Sequence, residues 1–219
     1  MNPVKQLLNE QLSLIAHSLS SPQRLEILEY LSQTERSVDN LSQLVNLSVA
    51  NTSRHLQVLK QASLVTVRRE GKKRFYKLTG NDVTSLISSL RNTAEIHLAE
   101  VERLMQSYLN KEDGLEAISA QELLERSKNN EVTILDIRPE EEFNAGHLPN
   151  AINMPLWQIV QRAKSLDPNK EIVAYCRGPY CLFAYDAVNI LRDNGFNARR
   201  LENGFPEWKA AGNPVQFNQ

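Results

Sequence analysis

Both cysteines of the chain lie in one six-residue stretch, Cys176–Cys181, with the sequence CRGPYC. The stretch follows an apolar run, 171–175, that is typical of a buried strand, and precedes a helical pattern that begins at Leu182. A loop from a strand into a helix N-terminus gathers backbone N–H groups around one point, and Arg177 adds a full positive charge. Both favour thiolate over thiol, so we predict that Cys176 is a nucleophile.

Cys181 supplies a second thiol close to the first in the chain. A persulfide on Cys176 is open to attack by Cys181, which gives a disulfide or a longer sulfur bridge. This is the chemistry of a redox sensor. The alternative, a buried and inert cysteine, fits poorly with a loop that opens a helix. Two cysteines provide too few ligands for a zinc site, so we predict no metal and no cofactor.

A second notable feature of the sequence is a cluster of basic residues. The 219 residues contain 25 Lys and Arg against 26 Asp and Glu, but the segment 54–77 alone holds eight basic residues and one acid, Glu70. A basic segment in an otherwise balanced chain predicts an anionic partner at that place only. The excess favours nucleic acid over an ordinary solvated surface.

The elements that must position the basic segment are helices followed by a hairpin. Apolar residues recur with helical spacing over most of the first 62 residues, and one helix is predicted over about 49–62. The runs 64–69 and 74–78 are rich in β-branched and aromatic residues and flank a loop that contains Gly71. A long helix is then predicted from Asn81 to about Asn110.

Helix, tight turn, helix and basic hairpin form a winged helix-turn-helix. The second helix of such a pair offers its N-terminal side chains to base edges in the major groove, while other basic groups contact the DNA backbone. Asn, Arg and Gln make bidentate contacts with adenine or guanine. The predicted DNA-binding residues are Asn51, Thr52, Ser53, Arg54, His55 and Gln57 on the helix, and Arg68, Arg69, Lys72, Lys73 and Arg74 on the hairpin.

Three motifs of this segment resemble the ArsR/SmtB family of bacterial repressors. They are PQRLEIL at 22–28, TSRHLQVL at 52–59 and GKKRFY at 71–76. The resemblance covers about residues 5–109 and implies a homodimer that binds an inverted-repeat operator in double-stranded DNA until an inducer is sensed. Residues 1–110 contain no cysteine, which excludes the thiolate metal site of the family's metal sensors, so the signal must be read elsewhere.

The long helix supports dimerisation independently. One line of side chains recurs every seven residues, and a second line runs beside it. The two lines are Ile87, Ala94, Val101 and Tyr108, and Leu90, His97 and Leu104. We interpret His97 as an interface residue rather than a metal ligand, since no other ligand lies at metal-binding spacing.

The polar stretch 110–114 ends in glycine and predicts a domain boundary, with a first domain of 1–110 and a second of 117–219. In the second domain short apolar strands at 132–136, 171–175 and 197–201 alternate with helical stretches. These stretches are 120–128, 156–165 and 182–194. The alternation predicts an α/β domain with a parallel sheet and helices on both faces.

The second domain resembles the rhodanese (sulfurtransferase) domain over about residues 117–217. The motifs that carry the resemblance are LDIRPEEEF at 135–143, GHLPNAINMP at 146–155, the cysteine loop, LENGFPEW at 201–208 and GNPV at 212–215. The resemblance implies a rhodanese-like parallel sheet in which Cys176 carries sulfur as a persulfide. It also implies that Asp136 and Arg138 support the loop rather than react.

The cysteine loop departs from that family at two positions. Pro179 and Cys181 stand where members that use thiosulfate usually carry glycine and a basic residue or threonine, which argues against efficient transfer from thiosulfate. Leu182 stands where the related phosphatases carry arginine, which argues against phosphatase chemistry.

The two halves together predict a dimeric transcriptional repressor whose rhodanese-like domain senses or receives reactive sulfur from a sulfane-sulfur donor. The alternative is a sulfurtransferase whose DNA-binding domain sets only its expression or location, and a third reading is metalloid sensing by the two cysteines. No apolar run reaches the ~18 residues of a membrane helix, and the N-terminus does not resemble a signal peptide. Two cysteines form no disulfide framework, so a cytoplasmic location without membrane contact is predicted.

Overall fold

The computed structural model describes residues 2–109 and 117–218, which form two compact units, Met1–Ile87 and Ser88–Gln219. The division falls inside a helix, Asn81–His97. Residues 88–97 therefore belong to the second unit, although the sequence analysis assigns them to a first domain of 1–110. The polar segment 110–114 lies outside the described residues.

The first unit consists mainly of short helices and a small antiparallel sheet. Its elements are α1 (Pro3–Leu19), α2 (Pro22–Gln33), β1 (Arg36–Ser37), α3 (Val38–Leu44), α4 (Val49–Gln61), β2 (Val65–Glu70), β3 (Lys73–Leu78) and the first turns of α5 (Asn81–His97). Serine hydroxyls cap three of the helices. Ser21, Ser37 and Ser48 accept hydrogen bonds from backbone N–H groups of α2, α3 and α4 respectively.

The sheet of the first unit has the strand order β1-β3-β2. Strands β2 and β3 form the predicted hairpin, with Val65 opposite Leu78 and Glu70 opposite Lys73. Gly71 lies at its tip with φ +59°, a conformation that glycine adopts without strain. Apolar side chains of α2, α3 and α4 pack with β2, β3 and the start of α5 in one core. This architecture confirms the predicted winged helix-turn-helix.

The predicted continuous helix from Asn81 to Asn110 is wrong. Helix α5 ends at His97, Leu98 has φ −106° and ψ 101°, and the chain continues as α6 (Ala99–Leu104) and one π-helical segment, Met105–Leu109. The interruption also breaks the predicted seven-residue seam. Ile87 packs in the core of the first unit, while Leu90 and Leu104 are exposed; the Tyr108 side chain lies outside the described part of the chain.

The second unit contains a four-stranded parallel sheet with the order β5-β4-β6-β7. After α6 its elements are α7 (Ala120–Lys128), β4 (Val132–Asp136), α8 (Glu140–Asn144), β5 (Ile152–Asn153), α9 (Leu156–Arg162), β6 (Glu171–Tyr175), α10 (Leu182–Asp193), β7 (Ala198–Arg200) and α11 (Phe205–Ala210). The sequence pattern misses the short edge strand β5 and the two short helices α8 and α11.

Both faces of this sheet are covered, as the sequence predicts. Alternate residues of the central strand β6 enter different apolar clusters: Ile172 and Ala174 pack with residues of α9 and α10, whereas Val173 and Tyr175 pack with residues of α7 and α11. A strand buried on both faces reads as a continuous apolar run. The carboxyl end of this strand leads directly into Cys176.

Candidate functional site

The cysteine loop runs from the end of β6 to the start of α10. Cys176 is only 2% exposed, and Cys181, at the N-cap of α10, is half-buried. The structure joins the two cysteines in a disulfide, with their Cα atoms 6.2 Å apart. The five-residue spacing seen in the sequence therefore brings the two sulfur atoms into direct contact.

Arg177 points to a carboxylate. Its Nε donates to both carboxylate oxygens of Glu142 at 3.0 and 2.9 Å, and its Nη2 donates to Oε1 at 2.8 Å. Glu142, on α8, is fully buried. The sequence analysis assigns the positive charge of Arg177 to the stabilisation of a Cys176 thiolate. In the structure that charge is balanced by Glu142, a partner that no sequence signal identified within the acidic run 140–142.

Asp136 and Arg138 form a fully buried ion pair at the end of β4, with Arg138 Nη2 2.6 Å from Asp136 Oδ2. Arg138 Nη2 also donates to the Gly146 carbonyl at 2.8 Å. The Tyr175 hydroxyl donates to Asp136 Oδ2 at 2.5 Å and accepts from the Leu148 N–H at 3.1 Å. Burial and the Asp136 carboxylate raise the pKa of Tyr175 well above its usual value. The network thus holds the residue immediately before Cys176.

The backbone of the loop rests against the start of α11. The Phe205 N–H donates to the Cys176 carbonyl at 3.1 Å. A Cβ on Gly204 would lie 2.3 Å from the Gly178 nitrogen, so this close approach requires glycine. Sequence reasoning noted Gly204 only as part of a motif.

Side chains of α5 also contact the loop within the second unit, and the sequence analysis missed them. Arg91 Nη1 lies 3.3 Å from Glu207 Oε1, and its guanidinium carbon lies 5.5 Å from the ring centre of Tyr180. Glu95 is hydrogen-bonded to the Tyr180 side chain. Burial of Tyr180 and this hydrogen bond raise the pKa of its phenol.

The predicted recognition helix α4 presents a polar face. Asn51, Arg54 and Gln57 are exposed and follow one another at three-residue spacing, which places them on one side of the helix. Ser53 and His55 are half-buried. Burial, together with the nearby charge of Arg24, lowers the pKa of His55 and favours its neutral form at pH 7.

Thr52, which the sequence analysis includes among the DNA-binding residues, faces the interior of the first unit. Its side chain is fully buried, and its hydroxyl donates to the Ser48 carbonyl at 3.1 Å. The sequence did contain a signal for this burial. Thr52, Leu56 and Leu59 recur with helical spacing and share the buried face of α4.

The basic residues of the hairpin differ in whether they are paired with carboxylates. Arg69, Lys72, Lys73 and Arg74 are exposed around the tip. Arg68 forms ion pairs with Glu35 and Glu70 at 2.6 and 2.5 Å, and its guanidinium stacks over Phe75. Arg68 therefore braces the hairpin, while its neighbours extend into solvent.

Among residues 2–109 and 117–218 no three His, Cys, Asp or Glu side chains cluster closely enough to hold a metal ion. Within the same residues no helix combines the length and apolar character needed to cross a membrane.

The fold and these sites define a two-domain regulator with a helix-turn-helix domain and a rhodanese-like domain. Residues 21–67 match the bacterial regulatory protein arsR family, and residues 119–211 match the rhodanese-like domain. The chain is 40% identical over 211 residues to the HTH-type transcriptional regulator Rv0324 of Mycobacterium tuberculosis. The aligned residues are 96% of this chain and 92% of that protein. It belongs to the ArsR-type transcriptional regulators that carry a C-terminal rhodanese-like domain.

Each half also has separate relatives. The homodimeric winged helix-turn-helix DNA-binding domain Mb0332 of Mycobacterium bovis, solved by NMR, is 33% identical with a TM-score of 0.42, and covers 45% of this chain and 91% of that one. The putative sulfurtransferase YtwF of Bacillus subtilis is 27% identical over 84 residues, which are 38% of this chain and 80% of that protein.

Proposed function

We propose that this regulator is a homodimeric repressor whose affinity for an inverted-repeat operator is set by the sulfur state of Cys176 and Cys181. The observation that carries the proposal is the direct contact of the two sulfur atoms at the end of β6. When one thiol receives sulfur beside a second thiol, the two can form a covalent sulfur bridge, and this bond records the exposure to the donor.

The sulfur chemistry balances with a low-molecular-weight persulfide, RSSH, as the sulfane-sulfur donor. The Cys176 thiolate attacks the terminal sulfur of RSSH, and RS⁻ leaves with the electron pair of the broken S–S bond. The Cys181 thiolate then attacks Cys176 Sγ, and HS⁻ leaves. The products are the Cys176–Cys181 disulfide and hydrogen sulfide, so the donor sulfur is the oxidant.

The winged helix-turn-helix supplies the DNA-binding surface of the proposal. Arg54 and Gln57 on α4 are exposed and match the base-reading types, and the exposed basic residues at the hairpin tip match phosphate contacts. The homodimeric relative supports assembly with a second copy. So does the exposed apolar side of α1, where Val4, Leu7, Leu8 and Leu12 are each at least 60% exposed. Chromosomal DNA as the partner supports a cytoplasmic location.

The second thiol favours a sensor over a sulfurtransferase with an accessory DNA-binding domain. A sulfurtransferase must pass its persulfide sulfur to an external acceptor. Here Cys181 is already in contact with Cys176 and competes with every such acceptor. Intramolecular attack benefits from a high effective concentration, so the internal bond forms first.

The test combines DNA binding with intact mass on the full-length protein. Operator fragments are selected from fragmented genomic DNA, and the protein is titrated after reduction and after treatment with cysteine persulfide. We expect the treated chain to gain about 32 Da as a persulfide or to lose about 2 Da as a disulfide, with DNA affinity falling about tenfold.

Cysteine variants separate the steps of the mechanism. Cys176→Ser should show neither the mass change nor the loss of affinity. Cys181→Ser should gain one sulfur that reductant removes readily. If Cys176→Ser still releases DNA on treatment, the signal enters elsewhere. If the wild type turns over sulfur rapidly with unchanged DNA affinity, the protein is a sulfurtransferase.

A further inference from the structure

We propose that Tyr180 transmits the state of the Cys176–Cys181 pair to helix α5 through its contacts with Arg91 and Glu95. This proposal rests on the proposed function only in one respect, the effect of the cysteine pair on DNA affinity. Nothing in the sequence pattern points to this contact, because more than 80 residues separate Arg91 and Glu95 from Tyr180.

Tyr180 contacts two residues of the same helix, Arg91 and Glu95. The Arg91 guanidinium faces its ring at 5.5 Å, and Glu95, one turn further along α5, hydrogen-bonds to its phenol. Arg91 is itself held by Glu207, and its Nη1 lies 3.3 Å from the position that a Cβ on Gly178 would take. The contact therefore touches the loop at two residues between the cysteines.

The bridge between the cysteines determines where Tyr180 lies. The disulfide closes a ring of six residues that contains Gly178, Pro179 and Tyr180. Opening that ring removes a short covalent restraint from these three residues. Reduction by dithiothreitol, which supplies two electrons and two protons and becomes a cyclic disulfide, therefore releases Tyr180 from its fixed position.

Helix α5 reaches the core of the DNA-binding unit within one turn of Arg91. Val83 and Ile87 pack in that core, and Ile87 lies four residues before Arg91 on the same helix. A helical turn is a stiff connection, so a change in how Arg91 and Glu95 are held is felt at Ile87. We infer that the bonded pair holds α5 in a form that binds DNA weakly, and that reduction frees it.

Hydrogen exchange on the full-length protein without DNA tests the contact directly. Amides of residues 88–97 are compared between the disulfide form and the form reduced with dithiothreitol. We expect exchange in the reduced form to be faster by at least about fivefold. Arg91→Ala should make exchange in the two forms equal. The matched control, Arg103→Ala, removes an exposed arginine that pairs with Glu100 three residues away, and should keep the difference.

A second measurement distinguishes transmission from a merely structural role. Coupling between two sites is reciprocal. If a variant reduces the ratio of exchange rates between the reduced and disulfide forms by some factor, it must also shift the thiol–disulfide equilibrium with dithiothreitol by that factor. Tyr180→Phe keeps the ring and removes the hydrogen bond to Glu95, and should shift that equilibrium about fivefold towards the dithiol. A structural role alone leaves the equilibrium unchanged.

Each outcome decides one of the two proposals. Equal exchange in both forms of the wild type overturns the role of Tyr180, whatever happens at DNA. Exchange that responds to reduction while DNA affinity stays constant supports the contact and contradicts the proposed function. DNA affinity that responds in the wild type and equally in Arg91→Ala shows that the signal travels by another route.

Discussion

Arg177 and Glu142 form a bidentate ion pair directly beside Cys176, with three N–O distances between 2.8 and 3.0 Å and with Glu142 fully buried. The pair anchors the first residue after the nucleophilic position to helix α8. The positive charge of Arg177 beside Cys176 is therefore balanced by the Glu142 carboxylate.

Loss of Arg177 should destabilise the second unit strongly. Arg177→Ala leaves the buried Glu142 carboxylate without its bidentate partner, and we expect the free energy of unfolding in urea to fall by about 3 kcal/mol. The double variant Arg177→Leu, Glu142→Leu removes both charges and should recover most of that loss. A single variant as stable as the wild type would show that Glu142 does not depend on Arg177.

Tyr175→Phe should destabilise the protein by about 1–3 kcal/mol, because Asp136 loses a donor and the Leu148 N–H loses an acceptor. The pKa of Tyr175 is raised in the folded state, so its contribution is complete below the unfolded pKa of about 10 and declines at higher pH. Urea unfolding of both proteins from pH 7 to 11 should show a difference that shrinks above pH 10. A difference that grows there would contradict the assignment.

Arg54→Ala and Gln57→Ala should each weaken operator binding by about 1–3 kcal/mol and relax base preference, since both side chains lie on the exposed face of α4. Fluorescence anisotropy with operator and scrambled duplexes measures both effects. Gln61→Ala, at the far end of the same helix, is the control and should bind like the wild type. An Arg54→Ala protein with normal affinity would mean that α4 is not the recognition helix.

Substitution of the exposed Lys72 and of the carboxylate-paired Arg68 should change the salt dependence of DNA binding to different extents. Lys72→Ala should weaken binding to all sequences alike and reduce the slope of log affinity against log salt by about 1, because an exposed phosphate contact is lost. Arg68→Ala should change that slope less, because Glu35 and Glu70 already neutralise its charge. Equal slopes for the two variants would contradict this division.

Leu8→Glu should split the proposed homodimer. Leu8 is 60% exposed on the apolar side of α1 that supports assembly, and a carboxylate there would have to be buried without a partner in the interface. Light scattering should give a monomer mass for this variant and a dimer mass for the wild type. Val160→Glu places the same charge on α9 and should remain dimeric; a monomeric wild type would remove the hypothesis.

Local sequence patterns determined most of the architecture. Serine caps, helical spacing and β-branched runs are properties of a few neighbouring residues, and they predict α4, the β2–β3 hairpin, β4 and β6 close to their observed bounds. The pairing of Cys176 with Cys181 could also be predicted, because only four residues lie between them. The two-residue strands β1 and β5 are too short to show any periodicity, and only tertiary pairing defines them.

The choice of partner for each charged side chain was decided by the tertiary structure. Sequence identified Arg177 and Arg68 as cations, but only the folded chain brings Glu142 and Glu35 against them. No glycine or proline marks the end of α5 before Leu98, so the sequence gives no local signal for it. Helix propensity is a local and weak preference, and long-range contacts that no window of sequence contains override it.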